Sequence, residues 1–304
     1  MSVRSDELRR SFKENDDIRD RGLTTPENIE RYDNICYGGD NKWQILDVYR
    51  PKGIDEKLPV IISVHGGGWV YGDKERYQYY CMDLAKRGFA VINFTYRLAP
   101  EYKFPAQIED TGLVFNWLQK NADKYSLDMG NVFAVGDSAG AHTLTMFVNM
   151  VADEKYRNKV LSEYSMEYYD CVHIAKGGTN SVWGMVNLKA VGLNCGKYLM
   201  DEKEELILDY KPNYKLELFY NLMNLPQHIV SAFPASFIMT CSDDFLREEP
   251  KYMIEQFDVC EVPYEYHFYG DEKNKLPHVF HCDIKSKYAK ICNDEQCEFF
   301  RSFI

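Results

Sequence analysis

Short apolar runs recur along the chain between longer segments in which apolar and charged residues mix. They are LPVIISV at 58–64, FAVINFTY at 89–96, NVFAVGD at 131–137, LKAVGLN at 188–194, ASFIMTC at 235–241 and VPYEYHFY at 262–269. Runs of this length, rich in Val, Ile and Phe and apolar at successive positions, predict strands buried on both faces. The intervening segments predict helices over roughly 75–87, 106–124, 139–152, 248–257 and 283–303. Strands that alternate with helices imply an α/β protein with a mainly parallel central sheet. WQILDVYRP at 43–51 alternates apolar and polar positions and predicts an antiparallel edge strand ahead of the parallel set. Two stretches, 153–187 and 200–230, break the alternation and are rich in Tyr, Asn, Met and charge. They are candidates for a cap or lid insertion, as is the highly charged N-terminal segment 1–40, within one domain spanning 1–304.

Composition narrows the class. With 304 residues and 45% hydrophobic content the chain can bury a large core. A formal net charge of −11 argues against nucleic acid or an anionic membrane surface as the main partner. The charged N-terminus has no apolar signal core and no stretch reaches transmembrane length, so a cytoplasmic location is expected. Nine cysteines at irregular spacings without a CxxC pair fit reduced thiols better than a disulfide framework or zinc site. Self-association is left open.

Chemistry begins at ISVHGGGWVYGDK, 62–74, where a strand pattern runs into His65 and then Gly66, Gly67 and Gly68. Three glycines at a strand end mark a place where another group approaches the main chain. A dinucleotide fingerprint fails because Tyr71 stands where its third glycine belongs; a P-loop fails because Asp73 replaces the lysine. What remains is an oxyanion hole, in which bare N–H groups face an oxygen that becomes negative during acyl transfer. The nucleophile this requires is offered by Gly136-Asp137-Ser138-Ala139-Gly140, a G-x-S-x-G between an apolar strand and a helical run. In such an elbow Ser138 sits at a helix N-terminus, and the Ala139 N–H and helix dipole stabilise negative charge.

Taken together, HGGGW (65–69), YRLAPE (96–101) and GDSAGA (136–141) resemble the hormone-sensitive-lipase-like, or HGGG, carboxylesterase branch of the α/β-hydrolases, over about residues 43 to 282. The resemblance implies the α/β-hydrolase fold and ester cleavage by a Ser-Asp-His triad without cofactor or metal. By position it implies oxyanion donors at Gly66, Gly67 and Ala139, with His65 anchoring the loop. The family's acid is followed by a residue, a leucine, another residue and an acidic group, which selects Asp244 over Asp243 in ASFIMTCSDDFLREE. The base then falls on His278 in LPHVFHC, where Val279 replaces the glycine usual after the family's histidine.

His281 is the competing base, or a packing residue before the last helix. His278-x-x-His281 with Asp283 has the look of a metal group but lacks a third paired motif. His142 is expected on the packing side of its helix, and Arg97 in a structural ion pair with Glu101. Trp69 and Tyr71 suggest an aromatic, partly apolar substrate pocket. The expected activity is that of a serine carboxylesterase on small or short-chain acyl esters. An arylformamidase acting on N-formylkynurenine and a carbohydrate acetyl or feruloyl esterase are the alternatives within that chemistry. A catalytically silent hydrolase fold that binds a small ligand is the alternative outside it.

Overall fold

All six apolar runs form strands, and they do so in one sheet. The computed structural model describes residues 3–175, 184–204 and 207–304. The strands are β1 (Ile29–Cys36), β2 (Ile45–Pro51), β3 (Leu58–Val64), β4 (Ala90–Phe94), β5 (Leu127–Asp137), β6 (Val172–Ile174), β7 (Val186–Asn194), β8 (Ala235–Cys241) and β9 (Tyr264–Tyr269). Their order across the sheet is β1-β2-β4-β3-β5-β7-β8-β9, with β6 pairing β7. From β4 onward every pairing is parallel, while β1 and β2 run antiparallel at one edge. This is the α/β-hydrolase architecture. The edge strand expected at 43–51 is present as β2, but it is covered by β1, whose mixed pattern IERYDNIC gave no clean alternation.

Helices α2 (Lys74–Ala85), α3 (Ala106–Asn121), α4 (Ala139–Ala152), α8 (Pro250–Cys260) and α9 (Lys287–Arg301) flank the sheet. The central strands β3, β4, β7 and β8 are buried along nearly their whole length, because helices shield both faces of the sheet. Two core clusters follow, one on each face. One centres on Ile62, Phe115 and Phe147; the other on Tyr80, Phe133 and Phe300.

A third cluster lies above the C-terminal ends of the strands. It joins Trp69 and Met146 to Tyr156 of α5 (Glu154–Tyr164), Tyr210 of α6 (Ile207–Tyr210) and Phe219 of α7 (Leu216–Met223). The insertion candidates 153–187 and 200–230 therefore supply α5, β6, α6 and α7; their residues 176–183 and 205–206 lie outside the described set. The N-terminal helix α1 (Val3–Arg19) buries almost nothing apolar and is held by polar contacts. Arg9 Nε donates to the Val70 carbonyl at 2.7 Å, and Tyr71 donates to Asp16 at 2.8 Å. Among the described residues no helix is long and apolar enough to cross a membrane.

Candidate active site

Parallel strands end on the same side of the sheet, so the loops after β3, β5, β8 and β9 converge there. The chain after β5 turns straight into α4 at Ser138, which takes φ 54° and ψ −120°. A non-glycine residue there carries backbone strain of about 1–3 kcal/mol, held by its surroundings. Both flanking glycines are needed for that turn. A Cβ on Gly140 would lie 2.1 Å from the Val64 carbonyl oxygen, and one on Gly136 would lie 2.6 Å from the Gly140 oxygen. The Ser138 N–H donates to Asn194 O at 3.0 Å, and the Lys197 N–H donates to Ser138 O at 3.3 Å.

Asp244 follows β8 and His278 follows β9. A bridge between Asp243 and Pro277 brings the two loops together. His278 Nδ1 then lies 2.7 Å from Asp244 Oδ1. The Asp244 carboxylate also accepts from the Leu246 N–H at 2.8 Å and from Thr240 Oγ1 at 2.9 Å. Burial alone would raise the Asp244 carboxyl, but the bond and charge of His278 outweigh it and hold it below the usual range. Asp243 is exposed and joins the neighbouring loop through its backbone N–H to Leu276 O at 3.0 Å. The structure thus pairs His278 with Asp244. Among the described residues no hydrogen bond links the Ser138 hydroxyl to His278, a contact that often tightens only when substrate arrives.

Val279 explains the loop without its glycine: it adopts φ 55° and ψ 33°, the left-handed conformation that glycine enters freely. Phe245, 74% exposed, leans on the His278 ring at 4.4 Å between centroids. Beside this pair lies a groove of about 1000 Å³ whose lining includes Phe245, Leu246, Lys197, Tyr220 and Tyr252.

The first member of the glycine loop is bonded differently from the other two. The Gly66 N–H donates to the Tyr77 hydroxyl at 3.0 Å, so it is not free to face an oxyanion. The Gly67 and Gly68 N–H groups have no acceptor among the described residues. Ala139 opens α4, where the first N–H groups lack intrahelical acceptors. His65 anchors the loop: it stacks on Tyr96 at 3.9 Å, and its Nδ1 meets Gly66 O at 2.8 Å. Burial pushes its imidazole down to about 4, which leaves it neutral near pH 7.

Trp69 and Tyr71 are committed elsewhere. Trp69 is 3% exposed, stacks on Tyr210 at 4.4 Å and donates from its indole to Thr143 at 3.2 Å. Tyr71, also expected in the substrate pocket, donates to Asp16 and sets an edge against Phe12. Their position next to the glycines was legible; that α1 and α6 cover them was not. Arg97 also finds other partners, chelating the buried Asp110 and pairing with Glu109, while Glu101 pairs with Arg9. His142 is buried against the Met223 carbonyl at 3.1 Å, and burial pushes it down to about 3.

His278, His281 and Asp283 do not converge on a metal-sized point among the described residues. His281 is buried against Tyr80, close instead to Asp137 and Cys282, and the Arg19 charge that acts on all three opposes a cation there.

The model of the BD-FAE family matches residues 46–247, two thirds of the chain. Esterase LipC of Mycobacterium tuberculosis is 34% identical over 136 residues, covering 44% of this chain and 34% of LipC. The ethyl acetate hydrolase of Pseudomonas putida is 30% identical over 157 residues, covering 51% of this chain and 49% of that enzyme. The chain thus spans half or less of the length of these two curated relatives. Among solved structures, esterase B of Lactobacillus rhamnosis inhibited with a tributyrin phosphonate superposes with a TM-score of 0.83 at 20% identity, covering 100% of this chain and 96% of that one. That likeness establishes the fold.

Proposed function

The chain belongs to the BD-FAE family, and from that premise we propose that it is a serine carboxylesterase acting on short-chain acyl esters. The observation that carries the reading is the 2.7 Å Asp244–His278 bond set beside the strained Ser138 elbow. Ser138 Oγ attacks the acyl carbonyl while His278 Nε2 takes its proton. Asp244 keeps the proton of the neutral imidazole on Nδ1 and stabilises the imidazolium that forms. His278 then returns the proton to the departing alkoxide. Water repeats the sequence on the acyl-enzyme and releases the acid.

The negative oxygen of each tetrahedral intermediate is met by the amides of Gly67, Gly68 and Ala139, each worth roughly 3 kcal/mol in the transition state. Gly66 is replaced in this role because its amide is engaged by Tyr77. The groove beside Phe245 receives the alcohol portion of the ester, and α1 with α5–α7 forms the cap. A short acyl preference agrees with the relatives named for ethyl acetate and inhibited with a tributyrin phosphonate.

The test is covalent. An ethyl p-nitrophenyl butylphosphonate should phosphonylate Ser138 with loss of p-nitrophenolate, and Ser138→Ala should lose labelling together with turnover by about 10⁶ in kcat. A panel of p-nitrophenyl esters should favour butyrate over decanoate. Ordinary turnover in Ser138→Ala overturns the mechanism, and a preference for decanoate overturns the substrate class.

A further inference from the structure

The Tyr77 hydroxyl stands between two parts of the site that come from different strands. It accepts the Gly66 N–H at 3.0 Å and donates to Asp137 Oδ2. Gly66 begins the glycine loop after β3, whereas Asp137 ends β5 and precedes Ser138. Tyr77 itself comes from a third element, α2, and is buried, as is Asp137.

The fit leaves no room for a side chain at the loop. A Cβ on Gly66 would lie 3.1 Å from the Tyr77 hydroxyl and 2.8 Å from the Asp137 carbonyl oxygen. Asp137 Oδ1 has no hydrogen-bond partner among the described residues, so Tyr77 supplies the hydrogen bond of this carboxylate. A buried carboxylate with one donor is a costly arrangement to keep unless it holds something in place. What it holds is the tyrosine, and through it the glycine loop.

We propose that Tyr77 is a positioning residue of the oxyanion site, clamping Gly66 to Asp137 so that the Gly67 and Gly68 amides keep a set distance from Ser138. The proposal rests on the serine-esterase reading given above. Tyr77 touches no reacting atom. Its effect arises because oxyanion donors act only within about 2.7–3.1 Å of the developing charge. A displacement of about 1 Å costs on the order of 10²-fold in rate.

The test uses the full-length protein and p-nitrophenyl butyrate. Tyr77→Phe keeps the ring and removes the hydroxyl. Its kcat should fall about 30- to 300-fold with KM within about threefold of wild type, since the loss is confined to the transition state. The rate of Ser138 phosphonylation should fall by the same factor. Asp137→Asn retains an acceptor for the tyrosine and should lose less than about tenfold, whereas Asp137→Ala should fall as far as Tyr77→Phe. If circular dichroism shows Tyr77→Phe unfolded, the Asn and Ala pair decides the matter.

A Tyr77→Phe enzyme with kcat within threefold of wild type overturns the proposal. So does one with raised KM or lowered Tm at unchanged kcat, or equal losses in Asp137→Asn and Asp137→Ala. Wild-type protein whose Ser138 is not phosphonylated overturns the esterase reading and this proposal together; labelled wild type with an unaffected Tyr77→Phe overturns this proposal alone.

Discussion

Replacing Asp244 by asparagine removes one charge and changes almost no volume, and the surroundings determine what that does. In a serine protease triad the same change costs on the order of 10⁴ in kcat, because the amide imposes the wrong imidazole tautomer. Here the acid oxygen that meets His278 also accepts the Leu246 N–H at 2.8 Å, while its second oxygen meets Thr240 Oγ1 at 2.9 Å. An amide NH₂ placed toward His278 would face the Leu246 donor head on. Placed toward Thr240 it meets a hydroxyl that can accept as well as donate. The asparagine oxygen therefore stays opposite His278 Nδ1, and the productive tautomer survives.

What is lost is the charge facing the imidazolium. Breaking a buried ion pair costs about 3–5 kcal/mol, of which the neutral hydrogen bond to the amide restores about 1. The remainder, about 2–4 kcal/mol, corresponds to a fall of roughly 30- to 1000-fold in kcat. Asp244→Ala also releases the ring and should lose at least about 10⁴. Asp243→Asn, at an exposed carboxylate, should stay within about twofold, as ordinary surface changes do. The assay is steady-state hydrolysis of p-nitrophenyl butyrate at pH 8. Equal losses for Asn and Ala at 244 would refute the argument from amide orientation. A larger loss at 243 than at 244 would refute the assignment of the acid.

Gly140→Ala should lower kcat at least about 10²-fold, because its new methyl would lie 2.1 Å from the Val64 carbonyl oxygen and must displace the elbow; wild-type kcat and Tm in this variant would contradict the packing described. Val279→Gly should leave unfolding free energy within about 1 kcal/mol of wild type, since relief of the left-handed backbone offsets the lost packing. Urea titration showing a loss above 3 kcal/mol would mean the side chain matters more than the strain. Burial pushes the Asp137 carboxyl up to about 7 from 3.8. The folded state then binds the proton more tightly than the unfolded one, and wild-type stability should fall as pH rises from about 4 to about 7, by at most about 4 kcal/mol. Asp137→Asn should lack that decline, so its stability relative to wild type should be higher at pH 8 than at pH 5. A difference that does not change with pH would exclude the raised carboxyl.

Much of the fold was legible because its signals are local. Buried parallel strands need uninterrupted apolar residues, and each of the six such runs became a strand. The turn at Ser138 was legible because glycines two positions either side let the chain cross from β5 into α4 without collision, and α4 spans the predicted 139–152. The offset from Asp244 to Leu246 also has a physical basis, since the Leu246 amide binds the carboxylate.

What the sequence left undetermined depends on contacts between distant segments. Helix α1 shows no apolar face because it is held to the fold by Arg9, by Asp16 and by Arg19, which donates to the Arg76 carbonyl, and a polar helix gives no periodicity to read. Three consecutive glycines look alike in one dimension. Only the arrival of Tyr77 from α2 separates Gly66, whose amide is engaged, from Gly67 and Gly68, whose amides are not. Trp69 beside a glycine loop reads as a pocket wall until Tyr210, far along the chain, stacks on it. Arg97 had a carboxylate four residues away in Glu101, yet it turned to Asp110 inside the fold while Arg9 took Glu101. Apolar pattern and turn chemistry act through neighbouring residues and can be read directly; the partner of a polar side chain is chosen by which segments the fold brings within hydrogen-bond reach, and that exists only in three dimensions.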